Sequence, residues 1–317
     1  MDSFPPDSGV DCGPMASPSI DTSKGSDSSE ATGLRKPVTI RTLRRMVDSG
    51  EAFPCLTAYD ALTAGWLQQA GIPVLLVGDT AAEVILGLPA TIHAPLDFMI
   101  TLTAAVKRGA PNCWVIGDMP FLSYQVSEAE AIRNGGRFLV EGRADAVKLE
   151  VDAAFVPVVT RMAQAGIPVI AHIGSRPQHV GRHGGYYSDG RRADDAYRLI
   201  DEARAFEEAG AVMILVEAVP EEVAAAIVDA VDVPVIGCGA GASCHGQIVV
   251  THDLTGMTEW QPPFAQPIEA VGESLVRVAG VWADRVRRRA HGEHPYRMIE
   301  GESERLAQPS DSDDGTS

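Results

Sequence analysis

Short runs of β-branched and other apolar residues alternate with amphipathic stretches along most of the chain. Eight runs have the length of buried strands, and many of the intervening stretches carry apolar residues at the helical spacing i, i+3, i+4 and i+7. The predicted strands are residues 53–58, 73–79, 113–119, 146–151, 168–173, 212–218, 234–239 and 248–253. The predicted helices are residues 61–70, 95–108, 128–141, 154–165, 193–209, 220–231 and 267–289.

Several predicted helices end in Ala-Gly, followed directly by an apolar run. The glycines at these joints are Gly71, Gly166 and Gly210. A glycine just past a helix is the expected left-handed stop, and Pro73 and Pro168 then prevent the first two helices from continuing. Eight strands that alternate with helices pair in parallel through right-handed crossovers. A closed (β/α)8 TIM barrel fits this count best, and an open doubly wound sheet is the alternative.

The two ends of the chain differ in composition from the segment between them. Residues 1–36 are rich in Ser, Asp, Gly and Pro and have almost no periodic apolar positions, and residues 302–317 are similar and acidic. Such segments bury too little surface to offset the entropy lost on ordering. The sequence therefore predicts one barrel catalytic domain over residues 37–301 between two disordered tails.

Charge and hydropathy exclude several classes of function. The net charge of −17 argues against nucleic-acid binding, which requires clustered positive charge. No apolar run approaches the roughly 18–20 residues of a membrane span, and the N-terminus has neither the basic nor the apolar part of a secretory signal. The five cysteines form no CxxC pair. Cys55, Cys113 and Cys238 lie in predicted strands and are interpreted as small buried hydrophobes in a reducing compartment, whereas Cys12 lies in the N-terminal tail and Cys244 in a loop that could expose it. We expect a cytoplasmic protein without a membrane partner.

Ionisable residues stand at the carboxyl ends of five consecutive predicted strands. In this fold the active site is built at that face of the barrel. Lys148 and Glu150 are two residues apart, so both point to the same side of their strand. The residues concerned are Asp79, Asp118, Lys148, Glu150, His172 and Glu217, and His252 and Asp253 follow at the last strand.

Four converging carboxylates cannot all ionise unaided, because like charges oppose one another. A divalent cation removes this conflict. Asp79 and Asp118, with Glu150 bound directly or through a water, would supply hard oxygen ligands suited to Mg²⁺. Lys148 would offset charge or bind an anionic substrate group. The alternative is a buried ion-pair network that only fixes the register of the barrel, and His172 could likewise be a satisfied core residue.

The motifs at these positions resemble the ketopantoate (3-methyl-2-oxobutanoate) hydroxymethyltransferase family. The resemblance runs in order over about residues 37–296. It is carried by LTAYD at 56–60, VGDT at 77–80, AVKRGA at 105–110, GDMPF at 117–121, AVKLE at 146–150, HIG at 172–174 with PQ at 177–178, GGY at 184–186, VE at 216–217, GCGAG at 237–241, GQ at 246–247 and HD at 252–253. This family belongs to the phosphoenolpyruvate/isocitrate-lyase-like barrels.

The resemblance implies an EC 2.1.2-type reaction of pantothenate synthesis. A hydroxymethyl group passes from 5,10-methylenetetrahydrofolate to 3-methyl-2-oxobutanoate, giving 2-dehydropantoate through an enolate stabilised by Mg²⁺ or another divalent metal. Asp79, Asp118 and Glu150 resemble the metal site, and the two aspartates also bind substrate. The further oxo-acid contacts implied are Thr80, Lys148 and His172. Glu217 resembles the base that moves the substrate proton, and a homo-oligomer, a decamer in this family, is expected.

Three loops depart from the family pattern. Leu88, Pro89 and Ala90 replace a His/Tyr-Asp-Ser sequence, Tyr187 replaces a lysine, and residues 242–245 lack the usual Asn and Asp. Two alternatives therefore stay open: a divergent paralogue or C–C lyase that acts on another 2-oxo acid without folate, and a catalytically silent barrel that serves as a scaffold.

Overall fold

The structure, a computed structural model, describes residues 33, 34, 36–185, 187–290, 292 and 294–307, apart from the side chain of His183. Its eight strands form a closed parallel barrel in which each strand pairs with the next and β8 pairs with β1. The predicted barrel is thereby confirmed, and the open sheet is excluded. The strands are β1 Phe53–Thr57, β2 Val74–Val77, β3 Trp114–Asp118, β4 Ala146–Glu150, β5 Val169–Gly174, β6 Met213–Glu217, β7 Val235–Cys238 and β8 Gly246–Val249.

Helices surround this barrel, and all seven predicted helices are present with ends shifted by a few residues. In chain order they are α1 Ile40–Asp48, α2 Ala61–Gln69, α3 Ala81–Val84, α4 Leu96–Gly109, α5 Glu128–Val140, α6 Val156–Gln164, α7 Val180–His183, α8 Ala193–Glu208, α9 Glu221–Val228, α10 Thr251–Leu254, α11 Val271–Arg287 and α12 Glu302–Ala307. Single 3₁₀ turns occupy Thr91–His93, Ala153–Phe155 and Pro177–His179.

The strands are mostly apolar up to the ionisable residues at their carboxyl ends, because both faces of nearly every strand are buried. Side chains that point inward, such as Leu76, Ile170 and Leu215, fill the barrel as one cluster. Outward-pointing side chains form a second cluster with the covering helices, including Phe138 and Phe206. The barrel is therefore a packed core, and only its carboxyl end is available for a site.

The predicted helix stops are confirmed at the three Ala-Gly joints. Gly71, Gly166 and Gly210 all have positive φ, at 84°, 81° and 94°. A residue with a Cβ adopts this left-handed backbone only at a cost, which explains the glycines at the turns into β2, β5 and β6.

The start of the last strand was predicted two residues too late. β8 begins at Gly246, where the Phe53 ring fills the space that a Cβ would need, and it ends at Val249. His252 and Asp253 therefore lie in α10, after the strand and not at its end. Helix α1 was not predicted; Thr39 caps it reciprocally with Thr42, and its Leu43 is fully buried with the barrel interior.

The predicted tails are only partly within the described residues. Residues 302–307 of the predicted C-terminal tail form helix α12, none of whose residues is buried. The prediction for residues 1–32 and 308–317 lies outside the described part of the chain. In that described part, no helix is long and apolar enough to cross a membrane.

Helix α11 differs from the other long helices because none of its 17 residues is buried. Val271, Leu275, Val278, Trp282 and Val286 repeat at intervals of three or four and are 37–60% exposed. They form one apolar face that the rest of the described chain leaves uncovered. On the barrel, the outward side chain of Gln247 in β8 is exposed as well.

Candidate active site at the carboxyl end of the barrel

Strand register brings the predicted residues to one level of the barrel. Asp118 is paired with Lys148 across β3 and β4, and Glu150 with His172 across β4 and β5. Glu217 ends β6, and Asp79 lies two residues beyond β2. The predicted set Asp79, Thr80, Asp118, Lys148, Glu150, His172 and Glu217 lines a single cavity together with apolar side chains such as Leu76, Leu215 and Ile248.

Lys148 is the cation at the centre of the cavity. Its ammonium lies 2.9 Å from Asp118 Oδ1 and 3.9 Å from Glu150 Oε1. Burial opposes the charged ammonium, but the fields of Asp118, Glu150 and Asp79 outweigh it and raise the pKa of Lys148. The lysine therefore stays protonated and partly compensates the surrounding carboxylates.

His172 connects this lysine to Glu217. Its Nδ1 is 3.3 Å from Lys148 Nζ, and its Nε2 is 3.5 Å from Glu217 Oε2. Burial and the nearby ammonium hold the pKa of His172 well below its ordinary value, so the ring is neutral. Because an ammonium can only donate, Nδ1 must accept, and the single ring proton is left on Nε2 facing Glu217.

The carboxyl groups of the cavity have too little positive charge beside them to compensate their own negative charge. Burial raises the pKa of Asp118 to about 7, with Lys148 offsetting the effect only in part, and raises that of Glu150 well above its ordinary value. Burial also raises the pKa of Glu217 to about 7. A carboxyl group with such a pKa can accept or release a proton near neutral pH, which suits a general base.

The arrangement of the carboxylates decides whether the cavity can hold a metal ion. Among the described residues, no three carboxylate, imidazole or thiol groups stand close enough to hold a metal by themselves. Mg²⁺ needs fewer protein ligands, because it is usually bound by one or two carboxylates together with waters and substrate oxygens. Asp118 Oδ2 accepts the backbone N–H of Asp79 at 2.9 Å, so these two residues are adjacent, and both line the same cavity. Glu150 Oε1 is buried without a hydrogen-bond partner among the described residues, which suits contact through a water.

Two functional neighbours were not predicted from the sequence. Gln178 donates through its side chain to Asp79 Oδ2 and through its backbone to Glu150 Oε2, each at 2.9 Å. The Tyr59 hydroxyl lies 2.6 Å from Thr80 Oγ1. In the sequence, Pro177-Gln178 and Tyr59 appear only within motifs that resemble the family. Neither belongs to the set of ionisable residues at the carboxyl ends of the predicted strands.

His252 and Asp253 do not join the cavity. The His252 ring packs against Tyr59 with centroids 5.4 Å apart, and Asp253 Oδ1 accepts a hydrogen bond from the Thr258 hydroxyl at 2.7 Å. Both therefore support the residues around Thr80 from outside.

None of the three altered loops lines the cavity; the departure that does is Thr80, which stands where the family usually has serine and keeps the hydroxyl. His245 lies at the opposite end of the barrel, where its Nδ1 accepts the N–H of Val235 at the start of β7 at 3.0 Å. The Ala242 N–H donates to Glu221 at 3.1 Å. Tyr187 borders a separate cleft with Arg176, and the Leu88 N–H donates to the Ala82 carbonyl at 2.8 Å.

The barrel and its polar carboxyl end together define a (β/α)8-barrel enzyme, and the fold agrees with solved structures. Phosphonopyruvate hydrolase aligns with a TM-score of 0.56 at 16% identity, over 84% of this chain and 93% of its own. The 2,3-dimethylmalate lyase of the PEP mutase/isocitrate lyase superfamily aligns with a TM-score of 0.53 at 19% identity, over 85% and 98%. At such identities the likeness concerns the fold alone.

Sequence comparison is more specific. The profile of the ketopantoate hydroxymethyltransferase family matches residues 37–294. A 3-methyl-2-oxobutanoate hydroxymethyltransferase of an Anaeromyxobacter species is 40% identical over 294 residues, covering 90% of this chain and 96% of its own. The enzyme of that name from Chloroflexus aurantiacus is 43% identical over 251 residues, covering 79% and 89%. The chain belongs to the ketopantoate hydroxymethyltransferase family.

Proposed function

We propose that this protein transfers a hydroxymethyl group from 5,10-methylenetetrahydrofolate to 3-methyl-2-oxobutanoate, giving 2-dehydropantoate for pantothenate synthesis. The observation that carries this proposal is the line Lys148–His172–Glu217 beside the adjacent residues Asp79 and Asp118. A base, a cation and a candidate metal site are the groups needed to form and hold the enolate of a 2-oxo acid.

Glu217 takes the proton from C3 of the oxo acid. Its raised pKa and its place opposite the Nε2 proton of His172 support this role. Water opens the methylene bridge of the folate: both bonds from the methylene carbon to N5 and N10 break, each nitrogen takes a proton, and a one-carbon unit at the level of formaldehyde is released. The carbanion carbon then bonds to this one-carbon unit, and its oxygen takes up the proton removed from C3 and becomes the hydroxyl. Lys148, Thr80 and His172 contact the oxo acid, and His172 Nε2 lies 3.5 Å from Glu217 Oε2.

Asp79 and Asp118 would bind a divalent cation such as Mg²⁺, with Glu150 acting through a water. When bound, such a cation supplies positive charge where negative charge develops on the substrate. The closeness of Asp79 and Asp118 and the unpartnered Glu150 Oε1 support this assignment. The two aspartates would also contact substrate from the metal side of the cavity.

The cavity favours the family's own reaction over the alternatives. A paralogue with a new substrate needs altered chemistry where substrate sits, whereas the three altered loops lie outside the cavity lining and the change from serine at Thr80 keeps the hydroxyl. A silent scaffold has no use for five buried or half-buried charged groups, whose burial costs free energy unless they are paired or used.

Proton exchange and group transfer separate these possibilities. The protein with Mg²⁺ and 3-methyl-2-oxobutanoate in D₂O should exchange the C3 proton by NMR without folate, and Glu217→Gln should exchange at least 100-fold more slowly, in the range of about 10²–10⁴ for a general base. Glu222→Gln, the same change at an exposed site, is the control. Adding methylenetetrahydrofolate should yield 2-dehydropantoate. Exchange without transfer would indicate another partner reaction, and no exchange would indicate a silent barrel.

We also propose that residues 37–301 form one catalytic domain that works as a homo-oligomer in the cytoplasm. The uncovered apolar face of α11 supports assembly, because burying each such side chain gains about 1.5–3 kcal/mol. The four free cysteines of the described chain, three of them buried, are compatible with a reducing compartment.

A further inference from the structure

We infer that Gln178 is a positioning residue that sets the carboxylates of Asp79 and Glu150 for a divalent cation. This inference deepens the proposed function and rests on it. Gln178 is 4% exposed and lies in the 3₁₀ turn after β5. It is the residue that bonds the end of β2 to the end of β4, two strands that do not pair with each other.

The hydrogen bonds of Gln178 occupy one oxygen of each carboxylate. Nε2 donates to Asp79 Oδ2, and the backbone N–H donates to Glu150 Oε2. Glu150 Oε1 is left without a hydrogen-bond partner among the described residues. Residues that surround metal ligands commonly orient a carboxylate in this way: they hold one of its oxygens by a hydrogen bond and leave the other free for the metal.

The orientation of the Gln178 amide is determined by its neighbours. Nε2 faces two acceptors, Asp79 Oδ2 at 2.9 Å and the Met119 carbonyl at 3.1 Å. Oε1 faces the Tyr124 hydroxyl at 2.9 Å. The flipped amide would set oxygen against two acceptors, so only one orientation satisfies all of these contacts.

The chain leading to Gln178 is held at two points. Before the turn, the Ser175 N–H donates to the Glu217 carbonyl at 2.9 Å. Arg176, nine-tenths buried, forms an ion pair of 2.8 Å with Asp152. The loop therefore presents the amide in a preset position and need not be ordered by a ligand.

A neutral amide suits this place better than a cation would. An arginine or lysine could also donate to both carboxylates, but its charge would satisfy them and compete with a metal. Gln178 orients Asp79 and Glu150 without supplying positive charge. The negative charge of these carboxylates therefore remains for a cation to compensate. Lys148 brings one positive charge, 2.9 Å from Asp118 and 3.9 Å from Glu150, which does not compensate both carboxylates.

The test is metal affinity measured by calorimetry with Mn²⁺ or Mg²⁺ on the metal-free protein, with thermal unfolding to check the fold. Gln178→Met keeps the length of the side chain and removes the amide that donates to Asp79, while the backbone N–H that donates to Glu150 remains. We expect it to weaken metal binding by roughly 10–100-fold, with kcat largely recovered at saturating metal. Gln178→Asn, which keeps the amide but draws it back, is the second variant, and weaker binding is expected there too.

Gln125→Met is the matched control, because Gln125 Nε2 donates to Gln178 Oε1 at 3.4 Å, on the side of the amide away from Asp79, and among the described residues its other side-chain hydrogen bond is to the Tyr124 N–H at 3.3 Å. It should bind metal as the parent does. Folded Gln178→Met and Gln178→Asn proteins with parental affinity would overturn the role of Gln178 while leaving the proposed function intact. A parent that binds neither Mn²⁺ nor Mg²⁺ would overturn the proposed metal site and this role with it.

Discussion

Replacing Glu217 by glutamine should stabilise the metal-free protein, and only at neutral and higher pH. Burial raises the pKa of Glu217 from 4.5 to about 7. At about 1.4 kcal/mol per unit, the ionised carboxylate costs the folded state about 3 kcal/mol, and less to the extent that water reaches the side chain, which is 19% exposed.

The sign follows from proton linkage. A carboxyl group whose pKa is higher in the folded state binds its proton more tightly there, so its contribution to stability is fully present below pH 4.5. That contribution is lost as the pH rises through about 7. Glutamine does not titrate. The free energy of unfolding of Glu217→Gln minus that of the parent should therefore increase by about 2–3 kcal/mol between pH 4.5 and pH 8.

Urea unfolding in EDTA at pH 5, 6, 7 and 8 measures this difference, at one protein concentration so that assembly contributes equally. Asp118, whose pKa is also about 7, is present in both proteins and cancels to first order. Glu222→Gln, at an exposed position of α9, is the control and should show no pH-dependent difference. A Glu217→Gln difference that is constant with pH, or that falls as pH rises, would refute the argument.

Three further changes test other parts of the structure. Lys148→Met leaves the buried carboxylate of Asp118 without its 2.9 Å partner and should destabilise the protein by about 3–5 kcal/mol at pH 8, as measured by urea unfolding; a loss below 1 kcal/mol would contradict the buried pair. Tyr59→Phe removes the hydroxyl 2.6 Å from Thr80 and should raise the KM for the oxo acid about 5-fold, the loss of one hydrogen bond, with little change in kcat; an unchanged KM would separate Thr80 from substrate binding. Leu275→Asp places a charge in the apolar face of α11 and should lower the mass measured by light scattering, whereas an unchanged oligomer would exclude that face as an interface.

Periodicity predicted the barrel well because parallel strands and covering helices each carry their own repeat. It failed where packing and not periodicity decides the boundary. The start of β8 at Gly246 depends on the Phe53 ring occupying the space beside that glycine, a contact between distant parts of the chain. Helix α1 is short, and its burial depends on the single inward residue Leu43.

The ionic residues of the site were predictable because strand register aligns the carboxyl ends of neighbouring strands. Asp118 with Lys148, and Glu150 with His172, are direct register partners. Gln178 and Tyr124 could not be found in this way. They reach the site from loops, and a loop side chain acquires a partner only from the fold.

The loops that depart from the family pattern also show that the partners of a loop side chain cannot be inferred from the sequence. In the sequence, His245 stands among glycines after a strand whose carboxyl end faces the site, so its identity suggested an altered substrate. In the structure it lies at the far end of the barrel, because the β7–β8 connection returns the chain to where β8 begins. Its imidazole caps the Val235 N–H, a structural use that leaves the cavity unchanged.

The balance of charge joins these observations. Asp79, Asp118, Glu150 and Glu217 face one ammonium, that of Lys148, while the other groups that contact them, His172 and Gln178, are neutral. An anionic oxo acid would add to the excess of negative charge. The site can therefore accept such a substrate only after protons or a cation have entered. His172 and Gln178 orient the carboxylates without neutralising their charge. The cavity therefore keeps an excess of negative charge, which a divalent metal would compensate.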